Sequence, residues 1–429
     1  MRKLSPYNHF GILILVTAVG STTLRAQDTT HLRRDSLLTA LKELQARIDA
    51  LEQKVSEGAE NGVHTRSGIR MELTGRVMVQ AFANSRRVNN VHDPQFVRPD
   101  TITTVAGRGA GASVRQSLLA FRVSSPDVAG AQFTGDLQTD FFGGQQPSSG
   151  GRTFPLIRMR IAKATLRWTR SELMIGQDVP LIAPLNPTSV LASGTPAFAT
   201  AGNLWLWIPQ VRLTLGGMRP GTLAIQGALL APTSGDPAAA FDTDLDQSEK
   251  TGTPTFETRV RFRWEMSEKP GELGCGFNLL WLAVPGSSGS GSERFGNGAG
   301  ACDLVAPLGI FELRGEVFKG DGLKGLGGGG IGQQYTTTGQ AVSSKGGWAQ
   351  LNLAPSTIWS LGVGAGMDDP EDTFMPAGSR LKNVVGMVNF ITHPSGPLLL
   401  SAEYRRMGTT YATKTFINDH LNLGFGFEF

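Results

Sequence analysis

The sequence predicts an all-β protein: a transmembrane antiparallel β-barrel of about sixteen strands, preceded by a short N-terminal α-helical coiled coil. Three observations predict it. The last nine residues alternate, with Leu421, Leu423, Phe425, Phe427 and Phe429 on one face of a strand and Asn422, Gly424, Gly426 and Glu428 on the other. The same two-faced pattern recurs from about residue 69 onward, as lipid outside and water inside require. No stretch reaches the roughly twenty apolar residues of a membrane helix, so a spanning chain must close into a barrel.

The N-terminus reads as a signal peptide over residues 1–26. Arg2 and Lys3 precede an apolar run from Phe10 to Val19, and small residues lead to Ala26. That run of about ten residues is too short to span, which favours a cleaved leader over an anchor.

Residues 27–62 read as a periplasmic stalk. Leu37, Leu44 and Leu51 fall at the d positions of a heptad, and Leu41, Ile48 and Val55 at the a positions. Arg47 and Glu52 occupy g and the following e, where parallel chains form ion pairs. A helix this short is marginal alone in water, so the seam is expected to self-associate; its residue types fit a dimer as well as a trimer.

From residue 63 to 429 the chain reads as the barrel. It carries 55 Gly, 23 Pro and only 40% hydrophobic residues, as many strands joined by turns and long loops require. Long connections near 84–113, 143–155, 178–206, 232–254, 285–298, 319–344, 367–380 and 408–415 alternate with short turns. With the stalk in the periplasm, the long ones lie outside the cell, which is the asymmetry of an outer-membrane barrel. The net charge is a mild +4, with basic and acidic residues interspersed, so there is no nucleic-acid footprint.

Strand phase identifies the lumen. With Val260, Phe262, Trp264 and Met266 toward lipid, Glu257, Arg259, Arg261, Arg263 and Glu265 turn inward. Glu312, Arg314 and Glu316 do the same on another strand, as do Asp136 and Asp140 on a third. Arg76, Arg122, Arg158, Arg160 and Arg212 also fall on inward positions. The strand from Ile157 to Trp168 changes phase near Ile161, which predicts a bulge. A lipid-facing charge costs about 2–4 kcal/mol at the midplane, so these charges imply a wet interior. Sixteen strands enclose a lumen too wide for side chains to close.

The connection from Asp178 to Leu206 is apolar and Pro-rich, with Leu181, Ile182, Leu185, Phe198, Leu204, Trp205 and Trp207 at its end. It is expected to fold into the barrel as a constriction, its apolar side on the wall and Asp178 and Asn186 toward the solute path.

The runs Gly135-Asp136-Leu137-Gln138-Thr139-Asp140-Phe141-Phe142, Ile157-Arg158-Met159-Arg160-Ile161-Ala162, Ile175-Gly176-Gln177 and Ile208-Pro209-Gln210-Val211-Arg212 resemble the DcaP-type trimeric porins, relatives of the phosphate-selective porins. The resemblance covers the stalk and the first half of the barrel. It implies a homotrimer of sixteen-stranded barrels, with a periplasmic N-terminal coiled coil and a basic constriction that favours anions or dicarboxylates. Carried over by position, Arg158, Arg160 and Arg212 become constriction residues, with Asp140 beside them.

Enzymatic alternatives have little support. The histidines lack metal-ligand spacing, and a barrel hydrolase built on Ser401 and His420 would need the two side by side. The glycines at 107–111 and 325–330 read as loop glycines, since neither run joins a strand to a helix. No cofactor is implied. Cys275 and Cys302 are expected on adjacent strands, toward lipid, at heights needing a register shift to meet; a bridge stays open. The rival class is a non-conducting structural or adhesive outer-membrane barrel.

Overall fold

The computed structural model describes residues 63–64, 69–100, 107–143, 155–235, 245–266, 269–283 and 294–429. The expected signal peptide and the Leu37 to Val55 seam lie outside them.

Eighteen strand segments make one sheet. They are β1 (Val63–His64), β2 (Arg70–Asn84), β3 (Gly109–Ser113), β4 (Leu118–Val128), β5 (Ala131–Gly143), β6 (Leu156–Arg167), β7 (Ser171–Asp178), β8 (Ile208–Gly216) and β9 (Leu223–Leu230), followed by β10 (Thr255–Met266), β11 (Lys269–Ala283), β12 (Arg294–Leu308), β13 (Phe311–Asp321), β14 (Ser343–Leu353), β15 (Trp359–Pro370), β16 (Lys382–Thr392), β17 (Leu398–Thr410) and β18 (Thr415–Glu428). Sequence neighbours pair antiparallel, and β18 pairs β2 to close the sheet. The eighteen segments reduce to sixteen staves. β1 is a two-residue strip against β2, while β3 and β4 both pair β2 and form the halves of one stave. The barrel is therefore all-β, closed and sixteen-stranded, and among the described residues no helix is long and apolar enough to cross a membrane.

Phase follows the sequence. On β18, Leu421, Leu423, Phe425 and Phe427 are 47–60% exposed, whereas Asn418, His420 and Asn422 are 0% exposed. Two boundaries differ from the sequence reading. Gly109–Gly111 are strand residues rather than loop glycines, because they pair with Phe82, Ala83 and Asn84 of β2. The last long connection shrinks to 411–414, because Thr410 pairs directly with Thr415.

The expected bulge is present in β6. Its register against β5 steps from Ile161↔Gln138 to Met159↔Thr139, leaving Arg160 as the extra residue. Bulging frees backbone groups, and Gln177 takes them: its Nε2 donates to the carbonyls of Met159 (3.3 Å) and Arg160 (2.9 Å). The adjacent Gly176 sits at φ +138°, where a Cβ would lie 2.1 Å from the Ala162 carbonyl oxygen, so only glycine fits.

The cysteines need no register shift. Cys275 and Cys302 are direct partners of β11 and β12 and form a disulfide with their Cα atoms 4.1 Å apart.

The barrel's apolar cores lie inside it, around the connection between β7 and β8. Leu181, Ile182 and Leu204 pack with Ala228, Leu230, Phe318, Leu323 and Leu326. Phe198 joins Trp348, Met387, Met407 and Phe416, and Leu191 joins Met78, Ile391 and Leu399. Each large aliphatic side chain so buried contributes about 1.5–3 kcal/mol. The in-folded loop therefore supplies the barrel's interior apolar core.

Candidate functional site

Polar side chains from around the wall hold the backbone of this loop. Glu257 on β10 accepts from the Leu181 N–H at 2.6 Å, and Glu316 on β13 from the Leu185 N–H at 2.7 Å. Gln350 on β14 accepts from the Thr188 N–H at 2.7 Å and donates back to the Thr188 carbonyl at 3.0 Å. Ser189 donates to Glu403 on β17 at 2.5 Å. Gln116, just before β4, accepts from the Ser193 N–H at 2.7 Å and donates to the Leu191 carbonyl at 2.9 Å. The loop thus runs along the inner wall through most of the circumference.

A second inward excursion comes from the connection between β2 and β3. His92 is 2% and Asp93 1% exposed. Gln116 Nε2 donates to both Asp93 carboxylate oxygens at 3.0 Å, and the Thr195 N–H of the long loop donates to one of them at 3.4 Å. Burial raises the Asp93 carboxyl to about 7, the nearby Arg405 guanidinium opposing it.

The basic residues expected at the constriction form three clusters. Around the middle of the loop, Arg158 grips Asp140 with two nitrogens (3.1 and 2.6 Å) and donates to the Gly194 carbonyl at 2.5 Å. Arg160 stands 3.7 Å from the same carboxylate, and Arg76 bonds the Ser193 hydroxyl. Two rings interleave with these guanidiniums. Arg115 lies 4.2 Å and Arg158 5.8 Å from the Phe142 centroid, while Arg158 and Arg160 lie 5.2 and 4.5 Å from Trp207. The result is a guanidinium–aromatic stack in the order Arg115, Phe142, Arg158, Trp207, Arg160.

At the loop's root, Asp178 pairs with Lys163 at 2.8 Å and stands 3.7 Å from Arg212. Arg212 also donates to the Val179 carbonyl at 2.8 Å. On β10 and β11, Glu272 meets Arg259 (2.7 Å), Arg261 (3.9 Å) and Arg263 (2.6 Å), and Asp303 takes Arg259 as well. Each cluster holds more basic than acidic groups. Arg314 stands apart, 3.0 Å from Glu312 and donating to the Asn186 carbonyl at 3.1 Å.

The structure thus brings Arg158, Arg160 and Asp140 together, and separately Asp178 with Arg212. Arg259 differs from the sequence reading of a solute-facing column. Its side chain is 2% exposed, locked between Asp303 and Glu272, and it braces the wall; Arg263 at 43% meets solvent. Asn186 also departs from the expected solute-facing role, accepting from Asn203 at 3.1 Å within the loop. Ser401 and His420 are not partners: Ser401 pairs with Gly424 and His420 with Arg405.

Sequence reasoning missed Arg115, Phe142 and Asp93 as parts of the site. Arg115 lies in the 114–117 break between β3 and β4, where period-two phase does not run through. Phe142 was visible, since it follows Asp140 by two residues and shares its face.

No family model matches the chain, and no curated protein matches it. Solved structures do. The outer membrane channel DcaP of Acinetobacter baumannii superposes with a TM-score of 0.64 at 14% identity, covering 86% of this chain and 99% of that one. An anion-selective porin from Comamonas acidovorans gives 0.54 at 11% identity, with 84% and 100% covered. OprB of Pseudomonas putida gives 0.52 at 10%, with 87% and 96% covered. At such identities the likeness is one of fold: the chain has a porin-type sixteen-stranded barrel.

Proposed function

We propose that the protein is an outer-membrane porin, a water-filled channel for passive diffusion of small hydrophilic solutes, with a preference for anions. The observation that carries this reading is the basic excess where the in-folded loop meets the wall. Glu257 and Glu316 accept from loop N–H groups and are buried at 0% and 4% exposure, so they face the loop backbone rather than the permeating solute. The remaining field concentrates anions in the narrow zone. The fold shared with a named outer membrane channel and a named anion-selective porin supports the same reading. Localisation in a bacterial outer membrane, contact with its lipids, a leader over 1–26, a periplasmic stalk over 27–62 and assembly as a homotrimer complete it.

The test is planar-bilayer conductance of the purified protein with reversal potential in a salt gradient. Chloride is expected to carry most of the current in dilute salt. Arg158→Glu with Arg160→Glu and Arg212→Glu should move the reversal potential toward cations. The contrast should shrink above about 0.15 M salt, where the Debye length is roughly 8 Å. Cation selectivity of the wild type overturns the anion preference alone. Absence of conductance in well-folded protein overturns the channel reading and favours the structural or adhesive barrel.

A further inference from the structure

Two cysteines stand in the whole sequence, and the fold makes them direct partners across β11 and β12 with their Cα atoms 4.1 Å apart. Where they stand decides how their bond can be made. Period-two phase puts both on the outer wall: Val260 of β10 flanks Cys275 and Val317 of β13 flanks Cys302, at 51% and 60% exposure. Leu273 and Phe277, on either side of Cys275 along the same face, are 46% and 47% exposed. The pair sits near the middle of two fifteen-residue strands, away from the turns and the rim. Lys319, opposite Gly300, is the charged side chain beside it, and a lysine stem is long enough to reach the interface. In an inserted barrel the two sulfurs therefore face hydrocarbon.

That position is hostile to the chemistry of its own bond. Disulfides form by attack of a thiolate, and a thiolate in hydrocarbon loses its hydration with nothing to replace it. An aqueous oxidant or a soluble enzyme does not reach the lipid face at that depth. The bond must therefore precede insertion. It also fixes more than proximity. A disulfide needs Cα atoms within about 7 Å, so joining cysteines 27 apart in sequence closes one hairpin and excludes large register slips before the barrel is assembled.

We propose that the β11–β12 segment is a substrate for a periplasmic dithiol–disulfide oxidoreductase, which joins Cys275 to Cys302 before the barrel inserts and so delivers this hairpin to the membrane in register. One cysteine thiolate attacks the enzyme's disulfide, giving a mixed disulfide and releasing an enzyme thiolate. The second cysteine thiolate then attacks its partner's sulfur in that mixed disulfide, forms the Cys275–Cys302 bond and expels the other enzyme thiolate. Two electrons pass to the enzyme, whose disulfide becomes a dithiol by taking up the two protons that the cysteines gave up. The proposal rests on the outer-membrane reading above.

The probe is a purified CxxC thiol oxidase in its disulfide form, given to the reduced full chain before or after folding into phosphatidylcholine vesicles. Heat-modifiable migration reads insertion, and a maleimide–polyethylene glycol gel shift after unfolding counts free thiols. Unfolded chain, freshly diluted from urea, should be oxidised to the Cys275–Cys302 pair. Chain folded first should stay a dithiol, oxidised roughly a hundredfold or more slowly, since its thiols lie in hydrocarbon. The oxidised barrel should in turn resist dithiothreitol that reduces the unfolded chain. Pre-oxidised chain should insert severalfold faster than reduced chain, or than Cys275→Ser with Cys302→Ser, which must search the register. Comparable oxidation of folded and unfolded chain overturns the proposal, as do two free thiols in protein taken from the outer membrane, or equal insertion rates. A pre-oxidised barrel that inserts but never conducts sinks the channel reading and leaves this one standing. A chain that inserts in neither redox state sinks the outer-membrane reading, and this one with it.

Discussion

Gly75 and Phe429 close the barrel as a reciprocal backbone pair: the Gly75 N–H donates to the Phe429 carbonyl at 2.8 Å, and the Phe429 N–H to the Gly75 carbonyl at 2.9 Å. Glycine is required at this seam. A Cβ on Gly75 would lie 2.6 Å from the Leu118 carbonyl oxygen and 3.0 Å from the Phe429 ring. Gly75→Val should therefore block closure, giving loss of heat-modifiable migration on gels. Deleting Phe429 removes two hydrogen bonds worth about 1 kcal/mol each, together with the ring. It should lower the urea midpoint without abolishing folding, and an unchanged midpoint would contradict the seam's role.

Asp140 sets the charge of the guanidinium stack, since Arg158 and Arg160 both turn to it. Asp140→Asn should raise the anion-to-cation permeability ratio and cost about 1–3 kcal/mol, because Arg158 loses a two-point partner. Reversal potentials and denaturant unfolding of the same preparation check both. A ratio that falls would show that the stack does not face the permeating ion.

Asp93 makes the inner loops pH-sensitive. Its carboxyl titrates near 7 when docked and near 3.8 when free, so the docked state binds a proton more readily across that window. Docking is thus fully supported at low pH and weakens as pH rises through about 7. The groups facing Asp93 are Gln116, the Thr195 N–H, Arg405 and Glu403, with Arg115 and Arg160 also within reach of its charge. Amide exchange in 85–97 and 191–196, corrected for intrinsic rates, should be slower at pH 5 than at pH 8. Asp93→Asn should remove the difference; its persistence would move the pH response elsewhere.

For the stalk, replacing Leu44 and Ile48 by Ser should weaken the oligomer while the barrel stays folded. Native mass spectrometry in mild detergent reads this directly, and a monomeric wild-type protein would count against the seam.

The barrel was legible because a two-faced strand needs only local period-two alternation, and even the β6 bulge showed as a phase slip at Ile161. The in-folding of the loop between β7 and β8 was legible, as apolar sequence with nowhere else to hide. Its partners were not, because Glu257 and Leu181 meet across 76 positions and no local pattern encodes that distance. Inward carboxylates such as Glu257 and Glu316 were therefore read only as facing the lumen beside the arginines. The pairing of Cys275 with Cys302 was likewise hidden, since register within a hairpin depends on where the turn falls, and one residue either way changes it.

Those wall glutamates carry the last prediction. Glu257 and Glu316 each hold a backbone N–H near the start of the loop, at Leu181 and Leu185, and Asn278 further fixes Glu257 by donating at 2.9 Å. Removing either carboxylate leaves a buried N–H without its acceptor, at a cost of about 1–3 kcal/mol. Glu257→Leu with Glu316→Leu should release the Leu181 to Leu185 segment from the wall while the strands stay paired. Single-channel records should then show flickering current and a changed mean conductance, with selectivity less dependent on Arg158 and Arg160. Steady wild-type conductance from the double variant would mean that the apolar packing of Leu181, Ile182 and Leu204 holds the loop unaided.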